Sequence, residues 1–180
     1  WRKWDLFMTS NEKTELLFLT TGGTIEKTYD EGQGTLENRE SAIRKWILSS
    51  LRLPYTQIKV RSILSKDSLQ MDDKDRDKIY KAIKKYSAHK IPIVVLHGTD
   101  TLENTLEYCI QKMGKVEVPV VFTGAMRPLE FVDSDAKQNI TEAMMVAKII
   151  DPGFYLSFHG KLFCGTRVRK NRDLLTFEEK

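Results

Sequence analysis

Three stretches of the chain place glycine and hydroxyl-bearing residues directly after a short apolar run. Residues 16–19 run into Thr20-Thr21-Gly22-Gly23-Thr24-Ile25. Residues 93–96 run into His97-Gly98-Thr99-Asp100-Thr101, and residues 118–122 into Thr123-Gly124-Ala125-Met126-Arg127-Pro128. A fourth polar knot, Ser65-Lys66-Asp67-Ser68, closes the alternating segment 57–64. Hydroxyls with a carboxylate and a lysine within reach suit acyl transfer. A threonine hydroxyl is a weak nucleophile until a base accepts its proton and donors stabilise the tetrahedral oxyanion, each donor being worth about 3–4 kcal/mol. Gly22 and Gly23 permit positive φ and a close approach of backbone to ligand, which leaves Thr24 where a loop would present its nucleophile. Backbone amides near Gly98, Thr99 and Ala125 are candidate oxyanion donors.

Other chemistries fit less well. Neither GxxxxGK[ST] nor GxGxxG is present, and the glycine loops offer hydroxyls rather than a phosphate-binding lysine. His89, His97 and His159 stand on separate elements without cysteine or acidic partners at zinc spacing, so no metal is expected. The formal net charge of +4 is interspersed rather than blocked, only a weak argument for nucleic acid, and no nucleic-acid partner is expected. Cys109 and Cys164 make no disulfide framework and read as reduced, packed thiols. No apolar stretch reaches the length of about 18 residues that a membrane span needs, and residues 1–8 lack a signal-peptide core. No membrane partner and a cytoplasmic location are the expectation.

The elements that must carry these loops follow from periodicity. Residues 16–19, 57–64, 93–96 and 118–123 read as strands. From Ser41, Ile43, Trp46, Ile47 and Leu51 recur at helical spacing ahead of Pro54. Asp72 or Asp73 caps a helix over 74–87 with Ile79, Tyr80, Ile83 and Tyr86 inward. Thr101 serves as N-cap for a helix through Met113 that Gly114 stops, and residues 135–150 form a third. His159-Gly160 is a two-residue hairpin signal between 154–158 and 161–164. Residues 25–40, with Gly32 and Gly34, read as a lid or hairpin in which Tyr29 suits lid chemistry or plain packing. Strand and helix alternate, which predicts a single-domain α/β fold: a three-layer, doubly wound, mostly parallel sheet with the glycine loops at one carboxyl edge. Residues 1–14 form an extension to a domain spanning 15–180.

Thr21-Gly22-Gly23-Thr24-Ile25, Asp67-Ser68, His97-Gly98-Thr99-Asp100-Thr101, Thr123-Gly124-Ala125-Met126-Arg127-Pro128 and Lys170, in that order, resemble the bacterial-type L-asparaginases of the asparaginase/glutaminase family. The resemblance runs from about Leu16 to the C-terminus. It implies hydrolysis of asparagine to aspartate and ammonia without a cofactor. Carried over by motif, Thr24 is the primary nucleophile, and Thr99, Asp100 and Lys170 form a second hydroxyl–lysine–carboxylate triad. Asp67 and Ser68, with Thr99 and Asp100, would hold the α-amino and α-carboxylate groups of an amino-acid substrate, Gly23 and Gly98 would line it, and Ala125 would offer backbone to its side-chain amide. Tyr29 would be the hydroxyl-activating lid residue, although the family's tyrosine commonly lies further beyond the nucleophile. A lysine, with an ordinary pKa of about 10.4, is an awkward base, so Lys170 would act through orientation and charge as much as by taking a proton. The family also builds sites near subunit contacts, implying a homo-oligomer, dimer or tetramer. It usually carries a second domain that would begin about where this chain ends, so either a short single-domain form or a less closed site is expected. A glutaminase or broader amidase differs by one methylene of substrate, worth about 1–3 kcal/mol. A non-catalytic amino-acid-binding module is the reading from another class.

Overall fold

The structure, a computed structural model, describes residues 13–30, 35–38, 43, 45–46 and 49–180. Strand β1 (Thr14–Thr20) takes an interior place in a six-stranded sheet because residues 16–19 are apolar on both faces, the pattern of a parallel strand covered from both sides. A short hairpin follows it, β2 (Lys27–Asp30) paired with β3 (Thr35–Asn38). The sheet then adds β4 (Thr56–Ser62), β5 (Ile93–Leu96), β6 (Pro119–Thr123), β7 (Gly153–Phe158) and β8 (Lys161–Cys164) in the order β4-β1-β5-β6-β7-β8. All pairings are parallel except the last, β7 with β8. The expected doubly wound α/β sheet is therefore present.

Helices α1 (Asp73–Ser87) and α2 (Leu102–Met113) cover one face, where Ile79, Ile83, Leu106 and Cys109 meet Leu17, Leu19, Val95 and Phe122. Helix α3 (Ala136–Ile149) covers the other with Ile140, Ala143, Met144 and Ala147 against Leu16, Phe18, Val94 and Val121. Each large side chain shielded in this way contributes about 1.5–3 kcal/mol of transfer free energy. These layers hold the strand ends rigid, and the polar loops project from that frame.

Local readings hold with specific exceptions. Asp72 caps α1 through a capping box with Asp75. Thr101 occupies the N-cap position of α2, yet its hydroxyl donates to the carbonyl of Ser68 at 2.9 Å instead of capping the helix. Gly114 stops α2 at φ 66°. Cys109 is buried but Cys164 is exposed, contrary to the reading of both as packed thiols: β8 is an edge strand, and Cys164 takes its outward register. The helix expected from Ser41 lies largely outside the described residues, as do residues 1–12. The basic run 167–172, which carries no clear alternation, forms β9 (Val168–Asn171), paired antiparallel with β10 (Thr176–Glu179).

Candidate active site

Parallel strands deliver their exits to one edge, and hydrogen bonds between neighbouring exits fasten those loops side by side. Thr21 donates both its amide, at 3.1 Å, and its hydroxyl, at 2.9 Å, to the carbonyl of Leu96. The amide of Lys66 reaches Thr21 O at 3.2 Å, and the amide of His97 reaches Thr123 O at 2.9 Å. The loops after β4, β1, β5 and β6 thus form one continuous rim.

Glycine is required where they touch. Gly23 sits at φ 91°, and a Cβ there would collide with the backbone of Gly98. A Cβ on Gly98 would fall 2.5 Å from the hydroxyl of Ser68, and one on Gly124 would collide with His97 O. Gly23, Gly98 and Ser68 are therefore contiguous. Thr24, the residue after Gly23, opens a single 3-10 turn (Thr24–Glu26) whose Ile25 is buried and whose Glu26 amide closes on Gly23 O at 3.1 Å. Thr24 is half-buried, while Thr99, Ser68 and Ala125 are buried at the same edge.

The second hydroxyl has a charged escort. Lys170, on β9, donates to Thr99 Oγ1 at 2.8 Å and to Asp100 Oδ1 at 2.9 Å, and the same oxygen accepts from Arg172 at 3.0 Å. The Lys170 amide donates to Glu103 Oε2 of α2 at 2.7 Å, which docks the β9–β10 hairpin beside the rim. Burial pushes the Asp100 carboxyl up, but the hydrogen bonds and charges of Lys170 and Arg172 outweigh it and hold the group below the usual carboxylate range. Asp100 is an anion and Lys170 has a counter-ion.

Behind Thr99, His97 is fully buried, and its Nδ1 lies 2.8 Å from Gly98 O. A carbonyl only accepts, so Nδ1 carries the proton, and in the neutral ring Nε2 accepts from the Thr105 hydroxyl at 2.9 Å. Burial lowers the imidazole to about 4, so it is neutral at pH 7. Because the peptide is planar and trans, pinning Gly98 O against His97 points the Thr99 amide the opposite way. The loop after β6 has its own anchors: Asp135 accepts the amides of Met126 at 3.0 Å and Arg127 at 3.1 Å, and buried Asn139 donates to Gly124 O at 3.0 Å.

Asp67 caps the turn bearing Ser68 by accepting the Leu69 amide at 3.0 Å, and it meets Lys27 Nζ at 2.9 Å. The ammonium of Lys27 holds the Asp67 carboxyl below its usual range against the opposing effect of burial.

Of the residues singled out from the sequence, Thr99, Asp100 and Lys170 are joined by hydrogen bonds; Gly23, Gly98 and Ser68 by close packing; Thr24 directly follows Gly23, and Ala125 follows Gly124, which packs on His97 and Thr99. Tyr29 lies on β2 opposite Leu36, and its side chain is outside the described residues. Sequence reading passed over Lys27, Arg172, Glu103 and the Asp135–Asn139 anchor. The nearest signal in the sequence is the basic run 167–172, which holds both Lys170 and Arg172. Among the described residues no cluster of three or more histidine, cysteine, aspartate or glutamate side chains could hold a metal ion, and no helix is long and apolar enough to cross a membrane.

The family described as "Asparaginase, N-terminal" matches residues 15–177. The L-asparaginase of Thermococcus kodakarensis is 33% identical over 161 residues, covering 89% of this chain and 48% of that protein. Its solved structure superposes with a TM-score of 0.84 at 34% identity over 92% of this chain and 51% of that one. The L-asparaginase of Dirofilaria immitis is 30% identical over 198 residues, covering 93% of this chain and 33% of that protein. A probable cytoplasmic L-asparaginase from Campylobacter jejuni aligns at TM-score 0.76 and 25% identity, covering 93% of this chain and 52% of that one. The chain spans about half the length, or less, of the curated relatives it matches.

Proposed function

The chain belongs to the asparaginase family, in its N-terminal region, and from that premise we propose that it serves an L-asparaginase-type amidohydrolase that converts L-asparagine to L-aspartate and ammonia. The observation that carries this reading is the hydroxyl–ammonium–carboxylate group of Thr99, Lys170 and Asp100 beside a glycine-bearing loop that ends in Thr24.

Thr24 attacks the side-chain amide carbon, its proton passing toward the leaving amine; ammonia departs, leaving an ester that water hydrolyses. Lys170 lends positive charge to the Thr99 hydroxyl, and Asp100 keeps that ammonium in place. Backbone amides of the Gly98–Thr99 and Ala125 loops face the developing oxyanion. Ser68 and the Asp67 and Asp100 carboxylates take the α-carboxylate and α-ammonium of the amino acid, and Gly23 and Gly98 line it. Tyr29 activates the nucleophile from the hairpin. The chemistry calls for no cofactor. The name of the Campylobacter relative supports a cytoplasmic setting, and a homo-oligomer, dimer or tetramer, is the assembly proposed.

The test is ammonia release by the purified protein from L-Asn, L-Gln and D-Asn, with kcat/KM compared between them. Release fastest from L-Asn is expected. Faster release from L-Gln would reassign the substrate, and thermal stabilisation by L-Asn without any ammonia would leave an amino-acid-binding module.

A further inference from the structure

Of the two carboxylates assigned above to the head group of the substrate, Asp67 and Asp100, the first is held by Lys27, from the segment that follows Thr24. Asp67 has two oxygens with different duties. Oδ1 accepts the Leu69 amide at 3.0 Å and so is committed to the turn that carries Ser68. Oδ2 is the one left for a ligand, and Lys27 Nζ occupies it at 2.9 Å. Both side chains are only 24% and 30% exposed, so this is no freely solvated surface pair.

Lys27 is also placed where its engagement matters. It is the first residue of β2, immediately after the turn Thr24–Glu26, so the ion pair links the segment of Thr24 to the loop of Ser68. A substrate ammonium approaching Oδ2 meets a like charge and must displace it or share the oxygen. An amide without an α-ammonium meets no such competitor.

Resting on the proposed reaction, we infer that Lys27 is an internal occupant of the ammonium subsite, a specificity-determining residue that makes binding of α-amino substrates competitive with the Lys27–Asp67 pair.

The experiment compares KM for L-Asn with KM for succinamic acid, which keeps the amide and the carboxylate and lacks the α-ammonium, in wild type, Lys27→Met, Asp67→Asn and the double variant. Lys27→Met should lower KM for L-Asn about two- to fivefold, the range of a partly exposed ion pair, and leave succinamic acid unchanged. In the Asp67→Asn background the substitution should have no effect, because the shared carboxylate is gone. Lys27→Gln reads the same ratio should Lys27→Met fold poorly. Equal changes for both amides, or a rise in KM for L-Asn, would overturn the inference alone and make Lys27 a structural or carboxylate-binding residue. No ammonia from either amide in wild type would remove the proposed reaction, and this inference with it.

Discussion

Lys170 Nζ stands 2.8 Å from the hydroxyl oxygen of Thr99 and 2.9 Å from a carboxylate oxygen of Asp100, although 70 residues separate it from the latter in sequence. Its side chain is only 11% exposed. An ammonium so enclosed has two fixed acceptors, one neutral and one anionic, and in the proposed reaction the neutral one is the alcohol that meets the carboxamide. The β9–β10 hairpin holds it there through the Lys170 amide and Glu103, so positioning rests on backbone as well as side chain.

Lys170→Met removes both bonds while keeping a buried stem. Ammonia release from L-Asn should fall by about 10²–10⁴ in kcat, the range of a lost proton-transfer or charge partner. Lys170→Arg should recover little, because a planar guanidinium cannot take the place of a point charge in this geometry. Wild-type kcat in Lys170→Met would show that the ammonium is not used.

The neutral, buried His97 makes stability depend on pH. Its folded pKa of about 4 lies below the ordinary 6.5, so the unfolded chain takes up a proton first as pH falls. The contribution is complete above about pH 6.5 and is lost as pH falls toward about 4, a difference worth roughly 3 kcal/mol. Urea unfolding at pH 7.5, 6, 5 and 4 should show wild type losing stability over that interval, with a flatter profile in His97→Gln. Parallel profiles would contradict the burial argument.

Gly98→Ala should lower both activity and stability. Its methyl would fall 2.5 Å from the Ser68 hydroxyl and 3.3 Å from the Gly23 Cα, so room for it comes only from opening the rim. Overpacking of this kind costs about 1–3 kcal/mol. The midpoint of chemical denaturation and ammonia release should fall together, and an unchanged midpoint would mean that the loops tolerate separation.

Asn139 donates to Gly124 O and to Asp135, and accepts the His159 amide at 3.1 Å, from a fully buried position. Asn139→Ala leaves buried groups without partners, at about 1–3 kcal/mol for each unsatisfied group. The loop bearing Ala125 should loosen, with a lower melting temperature and a lower kcat for L-Asn. Asn139→Asp, which keeps the acceptor, should retain the bond from His159.

The sheet was legible because residues 16–19, 93–96 and 118–122 are apolar on both faces and end in glycine or polar residues, a pattern that parallel strands between two helical layers impose. The rim was legible for the same reason: strand exits of one parallel sheet share an edge. The β9–β10 hairpin was not, since Val168-Arg169-Lys170-Asn171 carries one apolar residue and its fold depends on contacts with Glu103 and Asp100 far upstream. Lys27 escaped for a related reason. Its partner Asp67 is distant in sequence, and a lysine among polar residues gives no periodic signal. Cys164 was misread because apolar neighbours do not reveal that their strand lies at the edge of a sheet.

The most direct test is steady-state ammonia release from L-Asn by wild type, Thr24→Ala and Thr99→Ala, with folding of each verified by circular dichroism. Wild type should turn over, and each folded variant should lose orders of magnitude in kcat. Undiminished release by both variants would contradict the placement of two hydroxyls at one carboxamide.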